Sequence, residues 1–383
     1  MKRKIRFLSL ALAVLLALPC LPMTARADEV TLELDCKSCV LMEKETGSVL
    51  YAKDENARLP EASITKIMTM LLVFEALESG VISESDVATC SEYAASMGGS
   101  QIWLEPGEKM TVRDLIKAAM VGSANDACVV LAELIAGSHE AFVAMMNQRA
   151  MQLSMNDTAY KNCTGLDADG HLTSAYDVAV AARELMCHKK VREFSTIWTD
   201  TLRGGEFQLT NTNKLVRYYE GCTGLKTGTT SQAGCCVAAT AERDGMELIA
   251  VVMGAPNSKT RFSCAQKLLD HGFASYELFD LSSLAEKQKP IEVIGGVEKS
   301  AGTRLEMSGC VLVPKGRSGD IAAVTSIAEN ICAPVEKGQT VGTYSVCLDG
   351  KTLGEYSIVT TREVRKLSFS LIYRMIMEEL LKG

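Results

Sequence analysis

Hydrophobic and polar residues are arranged differently in successive parts of the chain, and the first change comes early. Residues 39–54, CVLMEKETGSVLYAKD, contain two short apolar runs around a turn at residues 44–47, which predicts a β-hairpin. After Ser63, apolar residues recur at intervals of three and four as far as Gly80: Ile64, Ile67, Met68, Leu71 and Leu72. This spacing predicts an amphipathic helix that is buried on one side.

Helical periodicity dominates residues 111–188, with a break near residues 122–125. It then gives way to two strand-like runs and one further helix: strands at 224–231 and at 234–255 around a turn at Arg243–Gly245, and a helix within 260–279 that ends at Gly272. An early hairpin, a helical middle and late strands predict an α+β domain over residues 28–280, in which helices pack on an antiparallel sheet.

The last part of the chain has a different pattern. Residues 290–364 alternate apolar and polar side chains between glycine and proline turns, which predicts a small all-β domain with a boundary at residues 281–289. The tail, residues 366–383, places apolar residues on one helical face: Phe369, Ile372, Tyr373, Ile376, Met377 and Leu380. Two interpretations stay open, a helix in a membrane interface or one packed on protein, because periodicity alone does not choose between them.

The amino terminus has the layout of a secretory signal peptide over residues 1–27. Four basic residues precede an apolar run from Phe7 to Leu18, and Ala25–Ala27 ends the segment, so we expect the mature chain to begin near Asp28 and to be exported. The run is shorter than the roughly 20 residues that a membrane span needs. Cleavage would remove five basic and no acidic residues, taking the net charge from −7 to −12, which argues against a nucleic-acid partner.

Cysteine is frequent for an exported protein, with fourteen residues in the chain. They are scattered singly among apolar neighbours, so most are predicted to fill the core as small hydrophobic side chains. Cys36 and Cys39 form a CxxC pair, but no second pair or nearby histidine completes a zinc site. We therefore expect no metal and no cofactor.

Ser63 and Lys66 are a candidate pair of catalytic nucleophile and base. Residues three apart on a helix share a face, so the lysine amine can reach the serine hydroxyl. A lysine acts as a base only when neutral, which requires burial or a nearby cation to lower its pKa. The alternative is a helix-capping serine followed by a solvated lysine.

Two further stretches support the catalytic interpretation. Ser123–Asn125 interrupts the helical region and offers a hydroxyl and an amide, and Lys226–Gly228 begins a strand, where lysine and threonine can bind a carboxylate. Ser154–Asn156 also fits S-x-N, but its neighbours favour a plain turn. His171, in a loop, is predicted to have a structural role, such as capping a helix.

S-x-x-K, S-x-N and K-T-G occur here in the order known from class A β-lactamases and penicillin-binding proteins, with Ala124 in the place of an aspartate. The chain resembles the serine-type D-Ala-D-Ala carboxypeptidases, the low-molecular-weight penicillin-binding proteins of peptidase family S11. The resemblance covers residues 39–279 and continues into the β-rich region. It implies a β-lactamase/DD-peptidase-like domain with an antiparallel sheet flanked by helices and a helical subdomain.

The resemblance also implies a role for each matching residue. Ser63 would be the acylated nucleophile, Lys66 its general base and Ser123 a proton relay. Substrate would be bound by the remaining matches: Asn125, Lys226, Thr227, Gly228, Thr229 and Arg261. The backbone N–H groups of Ser63 and Thr229 would form the oxyanion hole.

The implied function is removal of the terminal D-alanine from peptidoglycan pentapeptide stems, with β-lactam antibiotics as covalent inhibitors and no nucleic acid bound. The implied place is extracytoplasmic, at the outer face of the cytoplasmic membrane through the tail helix. A β-lactamase is one alternative, since residues 206–211, EFQLTN, resemble a deacylating glutamate loop, although they fit the strand region better. A non-catalytic sensor is another, but Ser63, Lys66 and Lys226 are all retained.

Overall fold

The computed structural model describes residues 32–284 and 288–381. From Asp35 onward, the described residues belong to one compact unit. The predicted signal peptide, residues 1–27, lies outside the described residues. The element order combines an early hairpin, a helical middle, late strands and a β-rich end, which confirms the predicted α+β class.

The first half of the chain supplies two edge strands and most of the helices. A short 3₁₀ helix, Ala62–Thr65, leads into the first α-helix. The elements are β1 (Ser38–Glu43), β2 (Val49–Lys53), α1 (Lys66–Glu78), β3 (Val87–Thr89), α2 (Glu92–Ala95), β4 (Lys109–Thr111), α3 (Val112–Val121), α4 (Asn125–Ala136), α5 (His139–Gln152) and α6 (Ala175–Leu185).

The second half of the predicted α+β domain supplies the rest of the main sheet. Its elements are α7 (Val191–Ser195), β5 (Thr199–Leu202), β6 (Phe207–Thr210), α8 (Leu215–Tyr218), β7 (Cys222–Thr230), β8 (Gly234–Arg243), β9 (Met246–Ala255) and α9 (Ser258–Ser275). The five-stranded antiparallel sheet has the order β2-β1-β9-β8-β7. Strand β7 lies at one edge of it, so no strand pairs with its outer side. The predicted turn at Arg243–Gly245 is confirmed, with positive φ at Asp244 and Gly245.

Two details of the predicted helices are wrong. Helix α1 is buried on all sides from Lys66 to Phe74, because it lies between the main sheet and the other helices. Helix α9 continues past Gly272 to Ser275. Gly272 is there to let the helix approach the sheet, since a Cβ would lie 2.5 Å from a methyl carbon of Leu248.

The carboxyl-terminal part is built from short strands in three sheets, followed by a helix. Its elements are β10 (Tyr276–Asp280), β11 (Ile291–Ile294), β12 (Ser300–Ala301), β13 (Thr303–Glu306), β14 (Cys310–Pro314), β15 (Ala322–Ile327), β16 (Asn330–Cys332), β17 (Thr340–Leu348), β18 (Lys351–Thr360) and α10 (Phe369–Leu380). Strand β10 pairs with β14, and the largest sheet has the order β13-β18-β17-β15. The domain limits at 280 and 290 stay predictions.

Helix α10 exposes the apolar face that the sequence predicts. The exposed fraction is 86% for Phe369 and 71% for Leu380. Within the described chain, therefore, this face is not covered by the β domain. No single described helix is long and apolar enough to cross a membrane, although the bent pair α4 and α5 passes by length and composition together.

Candidate active site

Ser63 and Lys66 lie side by side where the 3₁₀ helix enters α1. Lys66 is completely buried, and its Nζ lies 3.1 Å from Ser63 Oγ, 2.5 Å from Asn125 Oδ1 and 2.7 Å from the Thr164 carbonyl oxygen. The N-cap of α1 is Thr65. A capping serine followed by a solvated lysine is therefore ruled out.

Burial favours the neutral form of the Lys66 amine. Burial lowers the pKa of Lys66 from its ordinary value, although nearby acidic groups partly oppose this shift. The Thr164 carbonyl can only accept, and Asn125 is oriented by its own Nδ2, which donates to the Gly98 carbonyl at 2.7 Å, so its Oδ1 is also an acceptor. A neutral amine has two N–H groups for these oxygens, and its lone pair then faces Ser63. The arrangement can take a proton from the hydroxyl.

Ser123 and Lys226 form the second half of the site. Ser123 has a φ of +62° in the connection between α3 and α4, and its Oγ accepts a hydrogen bond from Lys226 Nζ at 2.9 Å. Burial first, and then the positive charge of Lys66, lower the pKa of Lys226 well below its ordinary value. The sequence left burial and a nearby cation open as causes of a lowered pKa at Lys66, and burial is the cause there.

The edge strand β7 approaches the nucleophile closely at Gly228. A Cβ on Gly228 would lie 2.7 Å from the backbone nitrogen of Ser63 and 2.9 Å from the Ala62 side chain. Only glycine fits between the two elements without displacing one of them. The neighbouring hydroxyl of Thr227 is held by a 2.8 Å hydrogen bond to Thr212.

Arg261, on α9, holds the same part of β7 from a buried position. Its Nη1 donates to the carbonyl oxygen of Gly228 and to Thr229 Oγ1, both at 2.9 Å. Its Nε is buried and has no hydrogen-bond partner among the described residues. The structure thus brings all nine sequence-predicted site residues together, from the junction of the 3₁₀ helix with α1, the α3–α4 connection with the start of α4, strand β7 and helix α9.

Prediction from sequence missed a group of residues behind the nucleophile. His171 Nδ1 accepts from the backbone N–H of Lys161 at 3.0 Å, so its Nε2 carries the proton and donates to Thr65 Oγ1 at 2.9 Å. The expected capping role is wrong, because Ser174 caps α6. Glu61, also buried, lies beside this imidazole. In the sequence, Glu61 stands two residues before the nucleophile, but no neighbouring residue indicates that its side chain would be buried.

The structure also bears on two other sequence-based interpretations, the glutamate loop and the cysteines. Glu206 is exposed in the connection of the β5–β6 hairpin, and residues 207–210 form a strand, as the carboxypeptidase interpretation expected. Eight of the thirteen described cysteines are buried, which confirms their use in the core. In residues 32–284 and 288–381, no group of three or more histidine, cysteine or acidic side chains is placed to hold a metal ion.

Comparison with known proteins agrees with this geometry. The family model described as D-alanyl-D-alanine carboxypeptidase matches residues 23–257, and that of the penicillin-binding protein 5 C-terminal domain matches residues 276–366. The chain belongs to the D-alanyl-D-alanine carboxypeptidase family. It is therefore a serine peptidase of the kind that acts on D-alanyl-D-alanine in cell-wall maturation.

Relatives of this family match over most of their length. D-alanyl-D-alanine carboxypeptidase DacF of Bacillus subtilis is 42% identical over 339 residues, which cover 88% of this chain and 87% of the relative. Penicillin-binding protein 5 from Haemophilus influenzae superposes with a TM-score of 0.79 at 30% identity, covering 88% of this chain and 99% of that one. Penicillin-binding protein D2 from Listeria monocytogenes, solved in its ampicillin-bound form, has a TM-score of 0.56 at 32% identity and covers 63% of this chain and 99% of its own.

Proposed function

We propose that this chain removes the terminal D-alanine of peptidoglycan pentapeptide stems through an acyl-enzyme on Ser63. The observation that carries this proposal is the buried Lys66 amine, whose Nζ lies 3.1 Å from Ser63 Oγ with two acceptor oxygens on its other sides. No metal or cofactor enters the scheme.

In the first step, Ser63 Oγ attacks the carbonyl carbon of the penultimate D-alanine while Lys66 takes the hydroxyl proton. The negative charge that develops on the carbonyl oxygen is stabilised by the backbone N–H groups of Ser63 and Thr229. The peptide bond then breaks, and the proton passes through Ser123 to the nitrogen of the departing D-alanine. Water hydrolyses the ester and restores the free hydroxyl.

The remaining residues bind and orient the substrate. The side chains of Lys226 and Thr227 receive the terminal carboxylate, and the Asn125 amide orients the peptide next to the nucleophile. Arg261 acts on the same carboxylate by its charge and supports β7 through its contacts with Gly228 and Thr229.

The test is D-alanine release from a peptide ending in Lys-D-Ala-D-Ala, with the wild type and Ser63→Ala side by side. The wild type should release D-alanine, and the variant should lose at least about 10³-fold in rate because the covalent path is absent. Equal release by both would reject the mechanism, and release by neither would favour a non-catalytic sensor.

β-Lactams should acylate the same serine, since the related penicillin-binding protein D2 of Listeria monocytogenes has been solved with ampicillin bound. Mass spectrometry of the intact protein after benzylpenicillin, followed by mapping of the adduct, should locate a long-lived penicilloyl group on Ser63. Rapid, repeated destruction of benzylpenicillin would instead indicate a β-lactamase.

We also propose that the enzyme acts outside the cytoplasm and that α10 attaches it to the membrane surface. The exposed apolar face of α10 supports this, because a charged helix with such a face binds at a membrane interface. Sedimentation with anionic lipid vesicles should carry the protein down, and a Phe369→Glu/Ile376→Glu variant should remain in solution. If both sediment equally, α10 is not the attachment.

A further inference from the structure

The loop that contacts the base Lys66 has no regular secondary structure. Residues 161–168 belong to no helix or strand, so their backbone groups need hydrogen-bond partners elsewhere. The Thr164 carbonyl oxygen accepts from Lys66 Nζ at 2.7 Å. The Cys163 carbonyl oxygen accepts from the buried hydroxyl of Thr69, also at 2.7 Å. Two consecutive carbonyl groups of the loop are thus bound to side chains of α1, and one of these side chains is the base.

Asn162 holds the opposite side of the same two peptide groups. Its Oδ1 accepts from the backbone N–H of Thr164 at 3.1 Å and from that of Gly165 at 2.7 Å. These N–H groups share their peptide bonds with the carbonyl groups of Cys163 and Thr164. In a planar trans peptide the N–H and the C=O point in opposite directions. Each peptide group is therefore fixed between Asn162 and α1, and the Thr164 carbonyl is directed at Lys66.

The Asn162 side chain is itself held in one orientation. Its Nδ2 donates to the Leu166 carbonyl oxygen at 2.9 Å, so the amide oxygen must face the N–H groups of the loop. The hydroxyl of Thr164 also donates to Asn162 Oδ1, at 2.9 Å. One half-buried side chain thus closes residues 162–166 through four hydrogen bonds.

The closed loop also packs directly on the turn that carries the nucleophile. Gly165 has a φ of +84°, and a Cβ there would lie 1.9 Å from the Ala62 carbonyl oxygen and 2.9 Å from the Ser63 nitrogen. Any shift of the loop therefore changes its contact with this turn or with the base. Loss of the Thr164 carbonyl would leave an N–H of the completely buried Lys66 amine without its acceptor.

We infer that Asn162 is a positioning residue for the general base, because it fixes the Thr164 carbonyl oxygen against Lys66. With this carbonyl in place, one N–H of the neutral amine is occupied and the lone pair faces Ser63. Asn162 acts through the backbone of the loop and not on the reacting atoms. The inference rests on the proposed function, which makes Lys66 the base.

The first test compares Asn162→Ala with Asn147→Ala in acylation by benzylpenicillin. Asn147 is the matched control, since it is also half-buried and makes three hydrogen bonds, to the backbone of Val143 and Tyr160, before the loop. Asn162→Ala should lower the maximal acylation rate by about tenfold or more, with an unchanged half-saturating concentration, because the base is displaced and the cleft is not. Asn147→Ala should stay within about threefold of the wild type, although both variants lower Tm.

Asn162→Asp is the conservative variant, and it tests the inference even if Asn162→Ala does not fold. It keeps an oxygen for the two N–H groups and adds a negative charge near Lys66, which raises the pKa of that amine. Acylation should return to within about threefold of the wild type on the alkaline plateau, with its acid limb moved to higher pH. The substitution leaves in place the ionisable groups that already face Lys66: Cys128, Cys163, Asp126 and Lys226.

Three outcomes would overturn the role of Asn162 while the wild type is still acylated and releases D-alanine. They are a wild-type rate in Asn162→Ala, an equal loss in Asn147→Ala, and an Asn162→Asp variant that shows neither the recovery nor the shifted acid limb. A wild type that is not acylated at Ser63 and releases no D-alanine overturns the proposed function as well.

Discussion

The interiors of the catalytic region and the carboxyl-terminal β domain differ in kind. The catalytic region, residues 35–280, buries ionisable side chains close to its cleft, including Lys66, Lys226 and Arg261. Between residues 288 and 381, Thr360 is the only described polar or charged residue that is buried. Because burial of charge opposes folding unless partners compensate for it, the catalytic region keeps such groups where their chemistry is needed.

On the exposed surface, the unusual features belong to the carboxyl-terminal part of the chain. All six residues of β15, an edge strand, are exposed, and α10 turns its apolar face outward. The β domain is thus folded around an ordinary apolar core, which includes Val346 and Ile358. The exposed edge strand and the exposed apolar helix face both lie on the surface. Substitutions at the catalytic site should therefore lower activity, whereas a substitution in the core of the β domain should lower stability and leave activity unchanged.

The largest effect is expected from Lys66→Met. The variant keeps a side chain of similar length but removes the proton acceptor beside Ser63, so the rate of acylation by benzylpenicillin should fall by about 10²–10⁴-fold. Stopped-flow or quenched mass spectrometry measures that rate. An acylation rate within threefold of the wild type would show that Lys66 is not the base.

Gly228→Ala should have the next largest effect. The added methyl group would lie 2.7 Å from the Ser63 nitrogen, so the strand or the nucleophile must move, and a displacement of this kind costs about 10²-fold in kcat/KM. The matched control is Gly319→Ala in the β domain, where a Cβ has open space. Equal activity of the two variants would mean that the approach of β7 to Ser63 is not critical.

The pH dependence should show the lowered pKa of Lys66. Burial favours the neutral amine, so the base is available at a lower pH than for an exposed lysine. On the acid side, kcat/KM should fall about tenfold per pH unit below the pKa of the pair Lys66 and Lys226, whose titrations interact. An acid limb that reaches its plateau only at the ordinary lysine pKa would contradict the effect of burial.

The smallest effect on activity is expected from Ile358→Val, in the core of the β domain. Removal of one buried methylene should lower the free energy of unfolding by about 0.5–1.5 kcal/mol, with unchanged D-alanine release from a short peptide. Chemical denaturation and the peptide assay measure the two quantities. A loss of activity comparable to that of Gly228→Ala would show that the two regions are coupled.

Prediction from sequence succeeded where the signal is local. The hairpins, the strands β7 to β9 and the S-x-x-K motif follow from spacing over a few residues, and the structure contains all of them. It failed at the end of α9, where Gly272 permits contact with Leu248 rather than ending the helix. It also missed Glu61, because only the surroundings of its carboxylate distinguish it from a surface glutamate.

The sequence by itself determined that Ser63 and Lys66 are neighbours, because residues three apart on a helix share a face whatever surrounds them. Only the tertiary structure decided that Lys226 meets Ser123 across 103 residues of chain, that burial shifts both lysines toward the neutral form, and that Glu61 Oε1 lacks a donor. Contacts between residues far apart in the chain, and the exclusion of water from them, both depend on how the elements pack. Neither can be predicted from the spacing of residues over a few positions.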